Sequence, residues 1–228
     1  MNISICIPTY EMYGKGVQYL NELLDSIEMQ TFKDYEIIVS DHSKNNDIET
    51  TCSLRNNVKY FRFDKKYGNI SANLNNAINQ TQGDIIKPMF QDDKFKEDDL
   101  QFDFLNYLFC CTDYKWMIYD SLNFGTKNEL FIPNNPLDLY ELAQGNNTYG
   151  CPSAVAWRNC DLRFDENLIW LMDCDFYVQL IQKYRSPLNV SQPVLIREHP
   201  NQLTHHITGS QILIEREYLS YKYKHLKK

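Results

Sequence analysis

The residues best suited to chemistry are acids placed just after apolar runs. "FQDDKF" sets Asp92 and Asp93 side by side at the end of the strand-like "DIIKPMF" at 84–90. Adjacent carboxylates repel each other unless a cation or hydrogen-bond donors compensate. A divalent metal held at a strand end is one such arrangement. A solvated loop is the other reading, because "QDDKFKEDD" holds four Asp and one Glu; on these residues alone the two readings balance. Asp98 and Asp99 fit the first turn of a helix, where the dipole favours acids. A second acidic pair, Asp173 and Asp175 in "LMDCDFYVQL", also stands at a helix start. There the dipole is the stronger explanation and general-base chemistry the weaker one. "REHPNQLTHH" offers His199, His205 and His206, imidazoles that suit Mn2+, although a His-rich surface loop is the plainer reading.

The elements that must position these residues follow from periodicity. Ile3, Ile5 and Ile7 share one face of a strand that Pro8 is expected to stop. Leu20, Leu23, Leu24 and Ile27 recur at helical spacing from Val17. "YEIIVSD" at 35–41 and "VKYFRF" at 58–63 read as strands, with a short helix over 47–54 between them. Ile70, Leu74, Ala77 and Ile78 mark the next helix, with Gly83 as its expected C-terminal stop. Within "DIIKPMF", Pro88 lacks a ladder donor and predicts an edge strand or a bulge. Residues 97–110 read as a helix and 114–120 as a strand. Farther on, 123–136 reads as a loop or hairpin, 153–157 and 192–198 as strands, 173–184 as a helix, and 209 onward as a helix.

Strands alternating with helices predict an α/β protein built on a mostly parallel sheet. Ligands of such sheets bind beyond the strands' carboxyl ends. That places Thr9, Tyr10 and Glu11, then Asp41, then Asp92 and Asp93 along one rim. The turn after the first strand, "PTYEMYGKG", is neither GxGxxG nor a P-loop, so dinucleotide chemistry and ATP hydrolysis are disfavoured. A metal on carboxylates is then the alternative means of neutralising phosphate.

Composition narrows the class. A chain of 228 residues, 43% hydrophobic and 14% aromatic, with only 8 Gly and 8 Pro, fits one folded domain and excludes disorder. No apolar run reaches spanning length, and the first residues lack the basic flank and long apolar stretch of a secretory signal. Seven cysteines in no CxxC spacing predict free thiols, a cytoplasmic location and no structural zinc. A net charge of −7 argues against nucleic acid as a partner.

Four ordered blocks carry a family resemblance: "ISICIPTYE" at 3–11, Gln30 to Asp47, "GNISANLNNAINQTQGDIIKPMFQDD" at 68–93, and 149–180 with "FDENLIWLMDCDFYVQL". Together they cover most of the chain. The sequence resembles glycosyltransferase family 2, whose members have the GT-A fold, a Rossmann-like sheet flanked by helices. The resemblance implies a nucleotide-diphosphate sugar donor, a glycan or lipid-linked acceptor, and Mn2+ or Mg2+ as cofactor. It divides one domain into a donor half at 1–120, an acceptor half at 121–208 and a C-terminal basic helix at 209–228.

Roles carry over by position. Pro8, Thr9, Tyr10 and Glu11 lie in the loop that touches base and ribose, and Asp41 in "VSDHS" is similar to the acid that bonds the base. Asn75 follows Leu74, where many relatives carry Arg. Asp92 corresponds to ribose or phosphate positioning and Asp93 to the metal, with Phe90 where a full DxD has its first acid. The resemblance makes Asp173 the general base, with Met172 replacing the usual first acid, and His199 a metal ligand. Trp170 and Asp175 are assigned to the acceptor. The expected reaction is inverting transfer. A sugar-phosphate nucleotidyltransferase and a catalytically degenerate binding module are the rivals. The last twenty residues carry a net charge of +3, from five basic and two acidic side chains, and suggest a peripheral contact with anionic lipid.

Overall fold

The computed structural model describes residues 2–96, 115–133 and 139–226. The expected helix over 97–110, with Asp98 and Asp99, lies outside them. One sheet runs through both halves. Its strands are β1 (Ile3–Thr9), β2 (Tyr35–Asp41), β3 (Val58–Arg62), β4 (Ile85–Pro88), β5 (Trp116–Phe124), β6 (Leu130–Phe131), β7 (Val155–Arg158) and β8 (Leu188–Arg197). The order is β3-β2-β1-β4-β7-β5-β6, with β8 on β5. The ladders β1–β2, β1–β4, β2–β3 and β5–β8 are parallel, whereas β7 runs against both β4 and β5. The helices are α1 (Gly16–Glu28), α2 (Asp47–Ser53), α3 (Ile70–Asn79), α4 (Leu139–Ala143), α5 (Met172–Tyr184) and α6 (Gly209–Lys222).

Both faces of the sheet are buried, as a sheet with helices on either side requires. Ile3, Ile5, Ile7, Ile37 and Val39 pack with Leu20, Leu23, Leu24 and Ile27 of α1. Cys6, Ile38 and Ile86 point the other way, onto Leu74 and Ala77 of α3 and Phe176 and Leu180 of α5. The alternation of β1 thus sorts its side chains between two cores.

Three boundaries differ from expectation. Pro8 does not end β1, because in register with Ser40 the strand continues to Thr9 opposite Asp41. Pro88 lies on a central strand and not at an edge. It is the last residue of β4, and β7 pairs only with Ile85 and Ile86, so no ladder bond is lost there. Gly83 does not cap α3, which ends at Gln80. Its hydrogen is needed for close approach instead, since a Cβ there would sit 2.6 Å from the Ser4 hydroxyl.

The fold brings the carboxyl ends of β1, β2, β4, β5 and β8 to one rim. The antiparallel β7 starts there, so the segment leading into it, Gly150 to Ser153, joins the same rim. Two chain reversals hold the first loop closed. Gln91 accepts from the Tyr10 N–H at 2.9 Å and donates to the Tyr10 and Gly16 carbonyls at 3.0 and 2.8 Å. Gly16 is obligatory, because a Cβ would stand 2.4 Å from the Tyr10 carbonyl. Among the described residues no helix is long and apolar enough to cross a membrane.

Candidate active site

At the carboxyl ends of the first two strands, β1 delivers Thr9 and β2 delivers Asp41. Asp41 is fully buried. Its Oδ1 accepts from the Thr9 hydroxyl at 3.1 Å and the Ser43 N–H at 2.9 Å. Its Oδ2 accepts from the Tyr60 hydroxyl at 2.8 Å and lies 3.4 Å from Arg62. A carboxylate offers about four lone-pair sites; three are used by these hydrogen bonds, and Arg62 lies beside the fourth as an ion pair. Asp41 thus braces Thr9, Tyr60 and Arg62 at the rim, where the resemblance expects it to meet a base. Pro8 and Thr9 are buried strand residues, whereas Tyr10 is 39% exposed and Glu11 is partly exposed. Burial, with Asp92 nearby, pushes the Tyr10 phenol up to about 12. Glu11 accepts from the Lys44 N–H at 2.5 Å, tying the first loop to the turn after β2.

Asn73 plays a part that the sequence did not reveal. Its amide donates to the Thr9 carbonyl at 3.1 Å and its oxygen accepts from Ser40 at 2.7 Å, linking α3 to the ends of β1 and β2. Asn75 is turned elsewhere. It donates to the Phe164 carbonyl and accepts from the Phe164 N–H, at 2.8 and 2.9 Å, and also reaches Glu166. That reciprocal pair staples α3 to the 164–166 loop, so its expected donor contact is corrected to a structural one.

At the centre, Asp92 and Asp93 separate. Asp92 Oδ2 meets His199 Nε2 at 3.0 Å. His199 Nδ1 accepts from the Asn201 N–H at 3.2 Å, which leaves the Nε2 proton directed at Asp92. Asp93 is only 3% exposed. It accepts from the Arg197 N–H at 3.1 Å and from Ser153, and burial, then its neighbour Asp92, holds its carboxyl well above the usual range. Of the two acids, Asp92 meets His199, while Asp93, the acid that the resemblance assigns to a metal, turns to Arg197 and Ser153. Arg197 ties this centre together, donating from Nε to the Asp92 carbonyl at 2.9 Å and lying over the Tyr19 and Phe124 rings at 4.4 and 4.5 Å. Beneath it, fully buried Lys87 donates to the Ser153 carbonyl, and burial lowers its ammonium to about 7. A Lys inside the apolar "DIIKPMF" was a legible sign of an internal cation.

Among the described residues no group of three or more His, Cys, Asp and Glu could hold a metal. Asp92 and His199 offer two ligands, one oxygen and one nitrogen. His199 would ligate a Mn2+ through Nε2 only with its proton moved to Nδ1, away from the Asn201 N–H that Nδ1 now accepts from, and Asp92 would supply the oxygen.

Asp173 stands in the first turn of α5. Its Oδ2 accepts from the Asn147 amide at 2.6 Å and its Oδ1 from the Cys174 N–H at 2.7 Å. Desolvation nevertheless raises its carboxyl from 3.8 to about 6. Asn147 also donates to the Gly150 carbonyl at 2.8 Å, two residues before Pro152, so the base candidate is anchored to the rim segment leading into β7. A partly exposed carboxylate of pKa near 6 is largely ionised at neutral pH and still basic enough to accept a proton.

Asp175 does not face an acceptor. It is fully buried, and its Oδ1 accepts from the Tyr223 hydroxyl and Lys222, both at 2.7 Å. At i+2 on a helix it points away from Asp173, under α6. Trp170 is half-buried against the core beside α5. Lys222 also bridges to Asp165 at 2.7 Å, so part of the expected basic surface of the C-terminal helix is turned inward.

Comparison with known proteins bears on this geometry. Residues 4–102 match the family model "Glycosyl transferase family 2". An uncharacterized glycosyltransferase of Rickettsia bellii is 28% identical over 195 residues, covering 79% of this chain and 27% of the relative. Another from Rickettsia conorii is 34% identical over 109 residues, 46% of this chain and 17% of the relative. The chain thus spans about a quarter or less of these relatives' length. The structure of S. aureus TarS 1-349 in complex with UDP-GlcNAc superposes with a TM-score of 0.74 at 15% identity, over 96% of this chain and 66% of that one. The mannosyltransferase PcManGT from Pyrobaculum calidifontis, with GDP-Man and Mn2+, superposes with a TM-score of 0.55 at 14% identity, over 90% and 58%. The fold is therefore the GT-A fold.

The three departures noted in the family pattern all turn inward. Leu74 is fully buried and Met172 is 3% exposed, accepting from the Ser71 hydroxyl at 3.4 Å, while Phe90 packs against the same core. Arg197, Asn147 and Asn73 were not found by sequence reasoning. Only Arg197 left a trace there, two residues before His199 at a strand end.

Proposed function

We propose that the chain is an inverting, metal-dependent glycosyltransferase that moves a sugar from a nucleotide-diphosphate donor to an acceptor hydroxyl. The observation that carries this reading is Asp173. It is a desolvated, partly exposed carboxylate, held at about 6, and it is tied through the Asn147 amide to the segment that leads into β7. In the proposed reaction Asp173 takes the proton of the acceptor hydroxyl as its oxygen attacks the anomeric carbon, and the nucleoside diphosphate leaves from the opposite face. One base without a second nucleophile corresponds to a single displacement, hence inversion. Asp92 and His199 would hold the divalent ion, which supplies charge neutralisation at the leaving diphosphate when bound. Solved relatives of this fold are described with UDP-GlcNAc and with GDP-Man and Mn2+, which supports a nucleotide-sugar donor.

We also place a peripheral lipid contact on the outer side of α6. Leu213, Ile214 and Tyr221 are exposed there, with Arg216 and Lys224 exposed on the same segment. Co-sedimentation with anionic liposomes should weaken in Arg216→Glu/Lys224→Glu, and unchanged binding would remove this contact.

The test of the main reading is melting temperature against UDP, GDP, dTDP and CDP with and without Mn2+, followed by sugar transfer from the responding donor. A metal-dependent shift that Asp92→Ala abolishes, with transfer that Asp173→Asn abolishes, is the expected result. Binding without transfer or donor hydrolysis would favour the degenerate module, the reading that Leu74 supports by burying a position where relatives carry a cation.

A further inference from the structure

Leu171 is the N-cap residue of α5 and offers no capping side chain. The first N–H groups of a helix need partners when buried. Here the acceptor comes from another helix. Glu215 of α6, only 4% exposed, accepts from the Ile169 N–H through Oε1 at 3.1 Å and from the Trp170 and Leu171 N–H groups through Oε2 at 2.9 and 2.8 Å. A second grip lies four residues past Leu171, where Lys222 and the Tyr223 hydroxyl hold the Asp175 carboxylate, both at 2.7 Å. A third pins the preceding loop, where Tyr218 donates to Asp165 at 2.8 Å and Lys222 reaches the same oxygen at 2.7 Å. Asp173 stands between the first two grips. Glu215, Leu219 and Tyr223 recur every four residues along the buried face of α6 and its C-cap.

We propose that Glu215 is a positioning residue for the base. By capping α5 from outside its own sequence it sets where Asp173 sits relative to the Asn147 amide and the rim. The proposal rests on the reading of Asp173 as the base. Glu215 touches no reacting atom in it. Its three accepted hydrogen bonds fix the N-cap and the two residues before it, so they set how the chain enters the first turn that carries Asp173, and α6 serves as a strut for the catalytic geometry. A displacement of about 1 Å at a reacting group costs on the order of a hundredfold in rate.

The experiment compares Glu215→Ala, Glu215→Gln and, as a stability control, Glu36→Gln at the opposite end of the sheet. The readouts are kcat, nucleotide Kd, melting temperature and hydrogen exchange of the 169–175 amides. Glu215→Ala is expected to lower kcat about 30- to 100-fold with nucleotide Kd unchanged and faster exchange at 169–175. Glu215→Gln, which keeps one acceptor oxygen, should recover part of the rate, and Glu36→Gln should lower the melting temperature with kcat within about twofold of wild type. A Glu215→Ala enzyme that loses stability but keeps its kcat overturns the proposal. A wild-type protein with no transfer activity sinks the functional reading instead. Positioning is then read from exchange alone: loss of protection at 169–175 in Glu215→Ala supports it, and unchanged protection overturns it.

Discussion

Replacing Asn147 by Ala offers a direct view of how the base is tuned. The Asn147 amide donates to Asp173 at 2.6 Å and favours the ionised form, opposing the desolvation that raises this carboxyl to about 6. A hydrogen bond to a charged group contributes about 1.5–3 kcal/mol. Asn147 is exposed, so water recovers part of that, leaving about 1.4 kcal/mol, or about one pKa unit. The acid limb of the kcat/KM profile should then move from about 6 to about 7. At pH 6 the ionised fraction falls from about one half to about one tenth, a loss of roughly fivefold, whereas at pH 8 the loss is about a tenth of the rate. Asn147→Ala also frees the Tyr149 and Gly150 N–H groups that its side chain accepts from at 2.8 and 3.0 Å. The melting temperature should fall slightly at every pH, separately from the midpoint. The assay is sugar transfer from pH 5 to 9 at fixed Mn2+ and donor. A rate lost equally at all pH values, or a midpoint that does not move, would refute the reasoning that this amide sets the base.

Asp173→Asn should abolish transfer yet stabilise the fold. A carboxyl raised from 3.8 to about 6 binds protons more tightly folded than unfolded, so stability falls as pH rises from about 4 to 6. The shift of about two units corresponds to about 3 kcal/mol, and partial exposure reduces it to about 1–2 kcal/mol. A higher melting temperature at pH 7 with no gain at pH 4 is the expected pattern. Asp92→Asn and His199→Ala should each remove the Mn2+ dependence of nucleotide binding, worth about 2.7 kcal/mol of stabilisation at a hundredfold excess over Kd; retention of it in both would eliminate the pair as ligands. Glu36→Ala should cost about 3 kcal/mol, because this buried acid accepts from Ser4, Gln82 and Gly83 and pairs with Lys59 at 2.7 Å. Chemical denaturation reads that loss, and donor affinity should not change. Lys87, lowered to about 7 by burial, makes the fold gain stability as pH rises from about 7 to 10; Lys87→Met should flatten that part of the curve.

The alternation of apolar residues was enough to place most strands and helices, because burial on both faces of β1 and β2 leaves few alternatives to Ile3, Ile5, Ile7 and their neighbours. The order of four blocks was enough to point to the family, and strand ends were enough to collect Thr9, Asp41 and Asp92 on one rim. What the sequence could not decide was direction. Asp92 and Asp93 are neighbours in the chain, yet one meets His199 and the other turns to Arg197 and Ser153. Asp173 and Asp175 are two residues apart, and the helix sends the first to Asn147 and the second under Lys222. Asn75 and Asp41 are polar residues in motif positions that bond to partners inside the protein. The partners named for Asp92, Asp93, Asp173 and Asp175 lie from 26 to 107 residues away in the chain. Local periodicity specifies which residues are buried and which element they join, because those preferences act over one or two turns. Which carboxylate is desolvated, paired or left open depends on distant chain segments brought together by the packed sheet, and only the tertiary structure settles that.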